Sequence, residues 1–439
     1  MMLRIVMATL ALLAATLPGR AEIEVQEITT PGGLDAWLVE EHSIPFVALE
    51  LRFRGGTSLD APGKRGAINL MTALLEEGAG EMDAQEFARA RDALAASFSF
   101  EAQEDAIRVS ARFLSENRDA ALDLLRQALS QPRFDKGAIE RVRGQVLSNL
   151  QSSLKDPNDL AARAFKALVY GDHPYGSWSK GTLDSVTALT RSDLKAAHKA
   201  AIARDRIYIS AVGDITAEDL AALLDDLLAD LPEAGAMLPG PATLNLPGGI
   251  KVEPFETPQS VVRFGQPGID RDHPDFFAAY VLNHILGGGG FESRLMTEVR
   301  EKRGLTYGIY SYLALRDNAD IWLGSVASGN ETVADTIAVI RAEWTRIRED
   351  GVTHAELEDA KTYLTGAYPL RFDGNGPIAR IAVGMQLDDL PTDYIATRND
   401  KVNAVTLADV NRVARQWLDP NALTFVVVGQ PQGLETTLN

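Results

Sequence analysis

Apolar and polar positions follow nearly the same order in the two halves of this 439-residue chain. Each half opens with an apolar, strand-like segment, and a segment with the apolar spacing of a helix comes next. In the first half these segments are residues 46–53 and 67–75, and in the second half they are residues 260–264 and 276–286. The pattern therefore predicts two units with the same order of elements.

Both halves also end with the same signals. Thr190 and Asp193 form a capping box before one helical pattern, and Thr406 and Asp409 form a capping box before the other. Each of these helices is followed by an apolar strand, and the glycines that end the two strands are 216 residues apart. In the first half, residues 98–113 contain two strand-like stretches on either side of a short polar turn, which predicts a hairpin.

This repeat predicts two homologous α+β domains from an internal duplication, each a mainly antiparallel sheet with helices packed on one face. The N-terminal domain is predicted to cover residues 22–230 and the C-terminal domain residues 250–439. Residues 231–249 contain four prolines and four glycines with little periodicity, which is typical of a linker.

Residues 1–21 are predicted to be a signal peptide. Arg4 provides a basic start, an apolar stretch follows, and Gly19 and Ala21 are the small residues that precede a cleavage before Glu22. The apolar stretch is short for a membrane span, and an uncleaved anchor is the alternative. We expect an exported protein, in the periplasm of a Gram-negative source, with no membrane association after cleavage.

Composition narrows the chemistry. The chain has 43 basic and 61 acidic residues, a net charge of −18, so nucleic acids and anionic lipids would repel it. It contains no cysteine, which excludes disulfides, cysteine nucleophiles and thiolate metal sites. No two of its six histidines are four residues apart, so none can form a histidine pair on one helix face.

Residues 286–308, Leu-Gly-Gly-Gly-Gly-Phe-Glu-Ser-Arg-Leu-Met-Thr-Glu-Val-Arg-Glu-Lys-Arg-Gly-Leu-Thr-Tyr-Gly, closely resemble the second domain of the insulinase/pitrilysin-type zinc peptidases. This family, the inverzincins, includes the mitochondrial processing peptidase and small bacterial two-domain members. Residues 53–66 and the His-Pro-Tyr-Gly at 173–176 resemble its first domain. The resemblance covers nearly all of residues 22–439.

The resemblance also shows what this chain lacks. Active members carry His-x-x-Glu-His on a first-domain helix and a further glutamate about 76 residues later, which together hold zinc and activate water. The matching positions here are Asn69, Thr72, Ala73 and Asn149. Alanine has no donor atom, and neutral asparagine and threonine are poor zinc ligands. The resemblance therefore implies a degenerate zinc site, with no metal and no cofactor in this chain.

The second domain keeps the residues that the family uses there. The resemblance implies that Arg300 and Tyr307 hold substrate carbonyls and stabilise the oxyanion in a partner's cleft. Arg300 is predicted to lie in a last helical turn, Gly304 to be its left-handed stop, and residues 305–310 to be a strand. The alternative is that Arg300 is a surface cation like its neighbours and Tyr307 a core aromatic.

Four consecutive glycines precede this segment. Gly287, Gly288, Gly289 and Gly290 are interpreted as a flexible loop at the mouth of the substrate cleft. A phosphate-binding loop is the alternative, but no Lys-Ser/Thr follows and the preceding pattern is helical.

In paired members of the family one subunit carries the zinc helix and the other the arginine–tyrosine pair. The resemblance of this chain to the second kind implies a non-catalytic partner subunit of an exported, heteromeric zinc metallopeptidase. The expected partners are a homologous subunit that carries His-x-x-Glu-His and its zinc, and an extended peptide that adds a strand to a sheet edge. The alternatives are a clamshell that binds peptides without hydrolysis and a lone peptidase with unconventional ligands. Neither nucleic acid nor membrane is expected as a partner.

Overall fold

The computed structural model of the chain describes residues 23–438. The predicted signal peptide, residues 1–21, lies outside the described residues. Within the described part, no helix is both long and apolar enough to cross a membrane.

The N-terminal half contains a six-stranded sheet. The strands of this half are β1 Gln26–Thr29, β2 Asp35–Glu40, β3 Phe46–Arg54, β4 Gly78–Ala79, β5 Met82–Asp83, β6 Ser97–Ala102, β7 Ala106–Leu114 and β8 Ile207–Gly213. Strands β4 and β5 form a separate two-stranded hairpin, and the other six form the large sheet. The strand order of the large sheet is β1-β2-β8-β3-β7-β6. Its neighbouring strands are antiparallel except β2 and β8, which are parallel.

The C-terminal half contains a five-stranded sheet. Its strands are β9 Gly249–Pro254, β10 Gln259–Pro267, β11 Thr306–Ala314, β12 Ile321–Gly329 and β13 Thr424–Gly429, in the order β11-β12-β10-β13-β9. Again the pairs are antiparallel except one, β13 with β9.

The two sheets have one topology. If β1 is set aside, strands β2, β8, β3, β7 and β6 correspond in order to β9, β13, β10, β12 and β11, and the parallel pair occupies the same place in both. The predicted hairpin is β6–β7. The α+β class and the two-domain duplication are therefore confirmed.

Six helices occupy corresponding places in the two halves, and the N-terminal half has two more, its second and eighth, in the described part of the chain. In the N-terminal half they are α1 Ala67–Thr72, α2 Ala84–Ala93, α3 Arg118–Ser130, α4 Lys136–Ser153, α5 Pro157–Tyr170, α6 Leu183–Ala188, α7 Arg191–Ala201 and α8 Ala217–Leu228. In the C-terminal half they are α9 Phe276–Asn283, α10 Val333–Asp350, α11 His354–Ala367, α12 Asn375–Leu387, α13 Tyr394–Asn403 and α14 Leu407–Trp417. The capping boxes predicted before α7 and α14 are both present.

Two helices are shorter than the sequence predicted. Helix α1 ends at Thr72 because the N–H groups of Leu74 and Leu75 bond to carbonyls three residues back, which tightens the chain into turns. Helix α9 ends at Asn283 and continues as a wider π-helical turn, His284–Gly288. Both changes lie at segments that matter for the candidate site.

Each half contributes one helix that packs on the sheet of the other half, and we call these two the exchanged helices. Besides the core that each sheet forms with its own helices, α5 of the N-terminal half packs on β10 and β13, and α12 of the C-terminal half packs on β3 and β8. These are the equivalent helices of the repeat. Each sheet is thus covered on both faces, which explains why all six residues of β13 are buried.

The segment between α8 and β9 has neither helix nor strand, and it runs along the seam between the halves. The Ala242 N–H donates to the Asn318 carbonyl and the Asn245 N–H to the Val169 carbonyl, both at 2.8 Å. The predicted domain limits at residues 230 and 250 stay a prediction.

Candidate functional site

Helix α1 and the residue after it carry three of the four predicted zinc-site positions, and a buried carboxylate fixes the start of this helix. Asp60 accepts hydrogen bonds from the N–H groups of Gly66 and Ile68, both at 2.8 Å. Burial raises the pKa of Asp60, although these bonds and Arg65 oppose that shift. Arg65 also donates to the Pro174 carbonyl at 3.0 Å, which ties the His-Pro-Tyr-Gly turn to α1.

The four predicted zinc-site positions lie in different surroundings. Asn69 is half-buried, and Thr72 is buried with no hydrogen-bond partner for its hydroxyl within residues 23–438. Ala73 and Asn149 are exposed, the latter on α4. One side chain without a donor atom and three neutral ones do not fit zinc. In the described part of the chain, no group of three or more histidines, aspartates or glutamates could hold a metal.

Arg300 and Tyr307 lie on either side of a helix–strand junction, as the sequence predicted. Arg300 belongs to a π-helical turn, Met296–Glu301, and β11 starts at Thr306. Between them Gly304 has φ +63°, a left-handed conformation that favours glycine, and its N–H donates to the Arg300 carbonyl at 2.8 Å. Because only residues 302–305 separate the π-helical turn from β11, Arg300 and Tyr307 both lie at the start of that strand.

Arg300 differs from the two arginines near it. Arg294 is engaged by Glu356 at 2.6 Å, and Arg303 by Glu298 at 2.7 Å. The Arg300 side chain has no hydrogen bond or ion pair with any described residue, and its guanidinium lies 4.5 Å from the ring centroid of Phe291. The cation–π contact holds the side chain while leaving its N–H donors free for a ligand.

Tyr307 is 86% exposed, which excludes a role as a core aromatic. A β-bulge explains this exposure, because the pairing of β11 with β12 shifts between Thr306 and Ile309 and leaves Tyr307 and Gly308 outside the ladder. The Thr306 hydroxyl accepts from the Gly308 N–H at 3.1 Å and donates to Ala327 at 2.6 Å. Bulges often redirect a side chain beside an active site.

Three of the four glycines lie in helical turns and Gly289 lies in a bend between them, whereas the sequence predicted a flexible loop. Gly287 and Gly288 belong to the π-helical turn, and Gly290 starts a short 3₁₀ turn, Gly290–Glu292. The physical reason is close packing: a Cβ at Gly287 would lie 2.5 Å from the Ser311 hydroxyl of β11. Only glycine allows the turn to approach the strand this closely. Their place at a substrate cleft stays a prediction.

Sequence reasoning missed the aromatic residues around this pair. Phe291 is 61% exposed, and Tyr310 and Tyr312 on β11 are also exposed, with ring centroids 6.1 Å apart. Alternation along an edge strand is a signal for such side chains. Phe291 lies beside Arg300, and the two tyrosines lie further along β11.

Each sheet has an edge strand beside candidate residues. In the described part of the chain, β6 pairs only with β7, and β11 only with β12. Strand β6 packs beside α1, and β11 packs against the Met296–Glu301 turn. An edge strand exposes N–H and C=O groups that can pair with an extended chain.

Two family models match the sequence. The insulinase (peptidase family M16) model matches residues 36–182, and the peptidase M16 inactive domain model matches residues 188–364. A Helicobacter pylori protein described as the non-peptidase homolog YmxG is 27% identical over 390 residues, which are 89% of this chain and 90% of that protein. An uncharacterized zinc protease of Streptomyces coelicolor is 27% identical over 409 residues, covering 90% of this chain and 87% of its own.

Solved structures agree with these matches. The crystal structure of a peptidase M16 inactive domain from Pseudomonas fluorescens superposes with a TM-score of 0.87 at 31% identity, covering 95% of this chain and 100% of that one. A protease from Helicobacter pylori shares the fold, with a TM-score of 0.82 at 17% identity, covering 92% and 99%. The chain therefore belongs to the insulinase (peptidase M16) family, as a non-catalytic member.

Proposed function

We propose that this protein is the non-catalytic subunit of an exported, heteromeric zinc peptidase. The observation that carries the proposal is a contrast between its two halves. The positions for zinc on α1 and α4 hold Asn69, Thr72, Ala73 and Asn149, which do not fit the metal. Arg300 and Tyr307, by contrast, are present and accessible, and their side chains make no hydrogen bond or ion pair with the described residues.

The chemistry of the pair suits a cleft whose metal comes from another subunit. A homologous partner with His-x-x-Glu-His supplies zinc and the general base. Arg300 donates charge-assisted hydrogen bonds to substrate carbonyls, and the Tyr307 hydroxyl donates to the oxyanion that forms as water attacks. Neither side chain has to break a hydrogen bond or an ion pair within residues 23–438 before it does so, which supports their availability.

The edge strands support an extended peptide as the substrate. An extended peptide can pair its backbone with the free edge of β6 or β11. Such pairing depends on main-chain hydrogen bonds more than on the sequence of the peptide. The exposed rings of Tyr310 and Tyr312 on β11, and that of Phe291 beside Arg300, are available for apolar contacts with such a peptide. Binding without hydrolysis, the clamshell function, uses the same features and is separated from the first proposal by experiment.

The experiment mixes the mature chain with a zinc-bearing homologue from the same source and follows cleavage of a peptide long enough to span both subunits. Tyr307→Phe should lower turnover about 10²–10³-fold, as the loss of an oxyanion donor does. Arg300→Ala should weaken turnover and also peptide binding, since a charged hydrogen bond contributes about 1.5–3 kcal/mol. Tyr363→Phe and Arg415→Ala, at exposed positions on α11 and α14, are the matched controls.

Assembly of each variant with the partner is measured in parallel by gel filtration. If both variants assemble and cleave at the wild-type rate, Arg300 and Tyr307 have no part in the reaction and the proposal fails. If no homologue gives cleavage, yet peptide binding depends on Arg300, the protein is a peptide-binding clamshell. Export is tested separately by fractionation and by sequencing the N-terminus, which should begin at Glu22.

A further inference from the structure

A cavity of about 350 Å³ lies among the helices of the C-terminal half, and neither Arg300 nor Tyr307 lines it. Phe276 and Tyr280 of α9 and Tyr394 of α13 form aromatic walls. Four arginines also line the cavity: Arg271, Arg371, Arg380 and Arg398. The proposed function gives none of these residues a task.

The charge of this cavity is opposite to that of the chain. Asp388 is the carboxylate among the lining residues, so the lining carries three positive charges in excess, in a chain of net charge −18. Lys401 adds an ammonium 5.2 Å from the Tyr394 ring centroid. Like charges held together repel one another, and a bound anion relieves that repulsion.

Arg398 is a fixed cation of this cavity. It is 5% exposed and donates to the Leu364 carbonyl at 2.8 Å, to the Asn399 side chain at 2.9 Å and to the Tyr280 hydroxyl at 3.0 Å. Its guanidinium also lies 4.5 Å from the Tyr368 ring centroid. These contacts hold the charge in place without a carboxylate to neutralise it.

Arg271 has spare donor capacity. Its guanidinium lies 5.3 Å from the ring centroid of Phe276 and 5.7 Å from that of Tyr394. Its Nη2 donates to the Tyr394 hydroxyl at 3.4 Å, and its buried Nε forms an ion pair with Asp388 at 3.6 Å but has no hydrogen-bond partner among the described residues. A buried N–H without a partner is costly, which favours a ligand oxygen at this point.

Arg371 and Arg380 are the two solvent-exposed arginines of the cavity lining. Both are exposed, and neither side chain makes a hydrogen bond or ion pair within residues 23–438. They come from different elements, the 3₁₀ turn Pro369–Phe372 and α12. Two exposed guanidinium groups are thus available for an anion that Arg271 and Arg398 attract.

We propose that this cavity binds a small organic dianion, a phosphate monoester joined to a flat apolar group. The planar guanidinium matches phosphate oxygens in pairs, and a phosphate monoester carries close to two charges at neutral pH, which suits the local excess better than one carboxylate does. The aromatic walls accommodate the apolar group. The volume is near the lower end of the roughly 300–1,000 Å³ range of ligand pockets, so the ligand is small.

Calorimetry on the mature chain at low salt tests this site with phenyl phosphate. One equivalent should bind, and inorganic phosphate and benzoate should each bind at least about tenfold more weakly, because one lacks the ring and the other lacks the second charge. The double variant Arg371→Gln/Arg380→Gln should weaken phenyl phosphate binding at least about tenfold. Both arginines are exposed and unpaired, so the variant should keep the wild-type unfolding midpoint.

Arg415→Gln, an exposed arginine of α14 outside the cavity, is the control and should bind as the wild type does. The proposal is overturned if phenyl phosphate shows no saturable binding at millimolar concentration, or if the double variant binds it as well as Arg415→Gln does. Inorganic phosphate or benzoate binding as tightly as phenyl phosphate would overturn the assigned ligand class. None of these outcomes depends on Arg300 or Tyr307.

Discussion

The side-chain amide of Gln386 bonds to both backbone groups of Ile209, in the other half of the molecule. The Ile209 N–H donates to Gln386 Oε1 at 3.0 Å, and Gln386 Nε2 donates to the Ile209 carbonyl at 2.9 Å. Ile209 lies on β8 just before Ser210, where the pairing with β2 begins. The glutamine of α12 therefore replaces a strand at that position and joins the exchanged helix to the N-terminal sheet.

Gln386→Leu should destabilise the protein by about 1–3 kcal/mol, because it leaves the Ile209 N–H and carbonyl buried without partners. Urea denaturation measures the effect as a lower midpoint. Gln416→Leu, at an exposed position on α14, is the matched control and should change the midpoint little. Equal midpoints for the two variants would show that Gln386 does not join the halves.

The exchange itself could not be predicted from the sequence. The duplication was visible because its signals are local: capping boxes such as Thr190 with Asp193, and short strands with matching spacing. Helices α5 and α12 have ordinary apolar spacing, and nothing in that spacing says which sheet their apolar faces cover. The continuous burial of β13 indicates cover on both faces but does not identify the helix that provides it.

The candidate site, like the fold, could be predicted only in part from the sequence. Gly304 correctly indicated the junction between Arg300 and Tyr307, because a glycine after basic residues is a typical helix stop. The bulge at Tyr307 was missed, although Gly308 within a strand pattern is a signal for one. The contact of Arg300 with Phe291 depends on tertiary packing and has no signal in the spacing.

Glu298 should make the folded protein sensitive to acid. Its side chain is 6% exposed, and burial alone would raise its pKa. Hydrogen bonds from Lys302, Arg303 and Arg346 outweigh burial and lower the pKa to about 2. The stabilising contribution is therefore complete above the unfolded pKa of about 4.3 and is lost as pH falls towards 2.

Glu298→Gln should consequently reduce stability at neutral pH and flatten its decline below about pH 4.5. Chemical denaturation across this pH range measures both effects. Glu331→Gln, at an exposed position, should retain the wild-type decline. A variant at Glu298 with an unchanged acid profile would contradict the assignment.

Asp320 should give the folded protein the opposite pH dependence, with stability lost as the pH rises. Burial raises its pKa to about 6, although the Arg316 N–H, which donates to Oδ1 at 3.4 Å, opposes the shift. The folded state then holds this proton more tightly than the unfolded chain does. The stability linked to it is complete below the unfolded pKa of about 3.9 and is lost as pH rises through 6.

Asp320→Asn keeps an oxygen for the Arg316 N–H and removes the charge. It should raise the free energy of unfolding at neutral pH and flatten the stability profile between about pH 4 and 6. The exposed Asp373→Asn is the control and should leave the profile unchanged. Asp105, whose pKa burial also raises to about 6, contributes to the dependence that remains.

The last prediction concerns zinc. After dialysis the mature chain should retain well under one equivalent of zinc by elemental analysis, because the side chains at its four zinc-site positions are poor donors or lack a donor atom. Combining Asn69→His, Thr72→Glu, Ala73→His and Asn149→Glu rebuilds the family motif, with three zinc ligands and, at position 72, the glutamate that activates water. Ala73 and Asn149 are exposed and can accept larger side chains, whereas Thr72 is buried and its replacement should reduce stability.

We expect the quadruple variant to bind zinc near stoichiometry but to cleave peptides poorly, since the groups that orient zinc ligands are not restored with them. A triple variant that keeps the other three substitutions but retains alanine at position 73 lacks one histidine ligand of the rebuilt site. Its zinc content therefore distinguishes specific binding from adventitious binding. This triple variant should lose most of the zinc. If the wild-type chain instead retains one equivalent of zinc, and a chelator abolishes a peptidase activity of the chain alone, the zinc-binding role assigned to the partner is wrong.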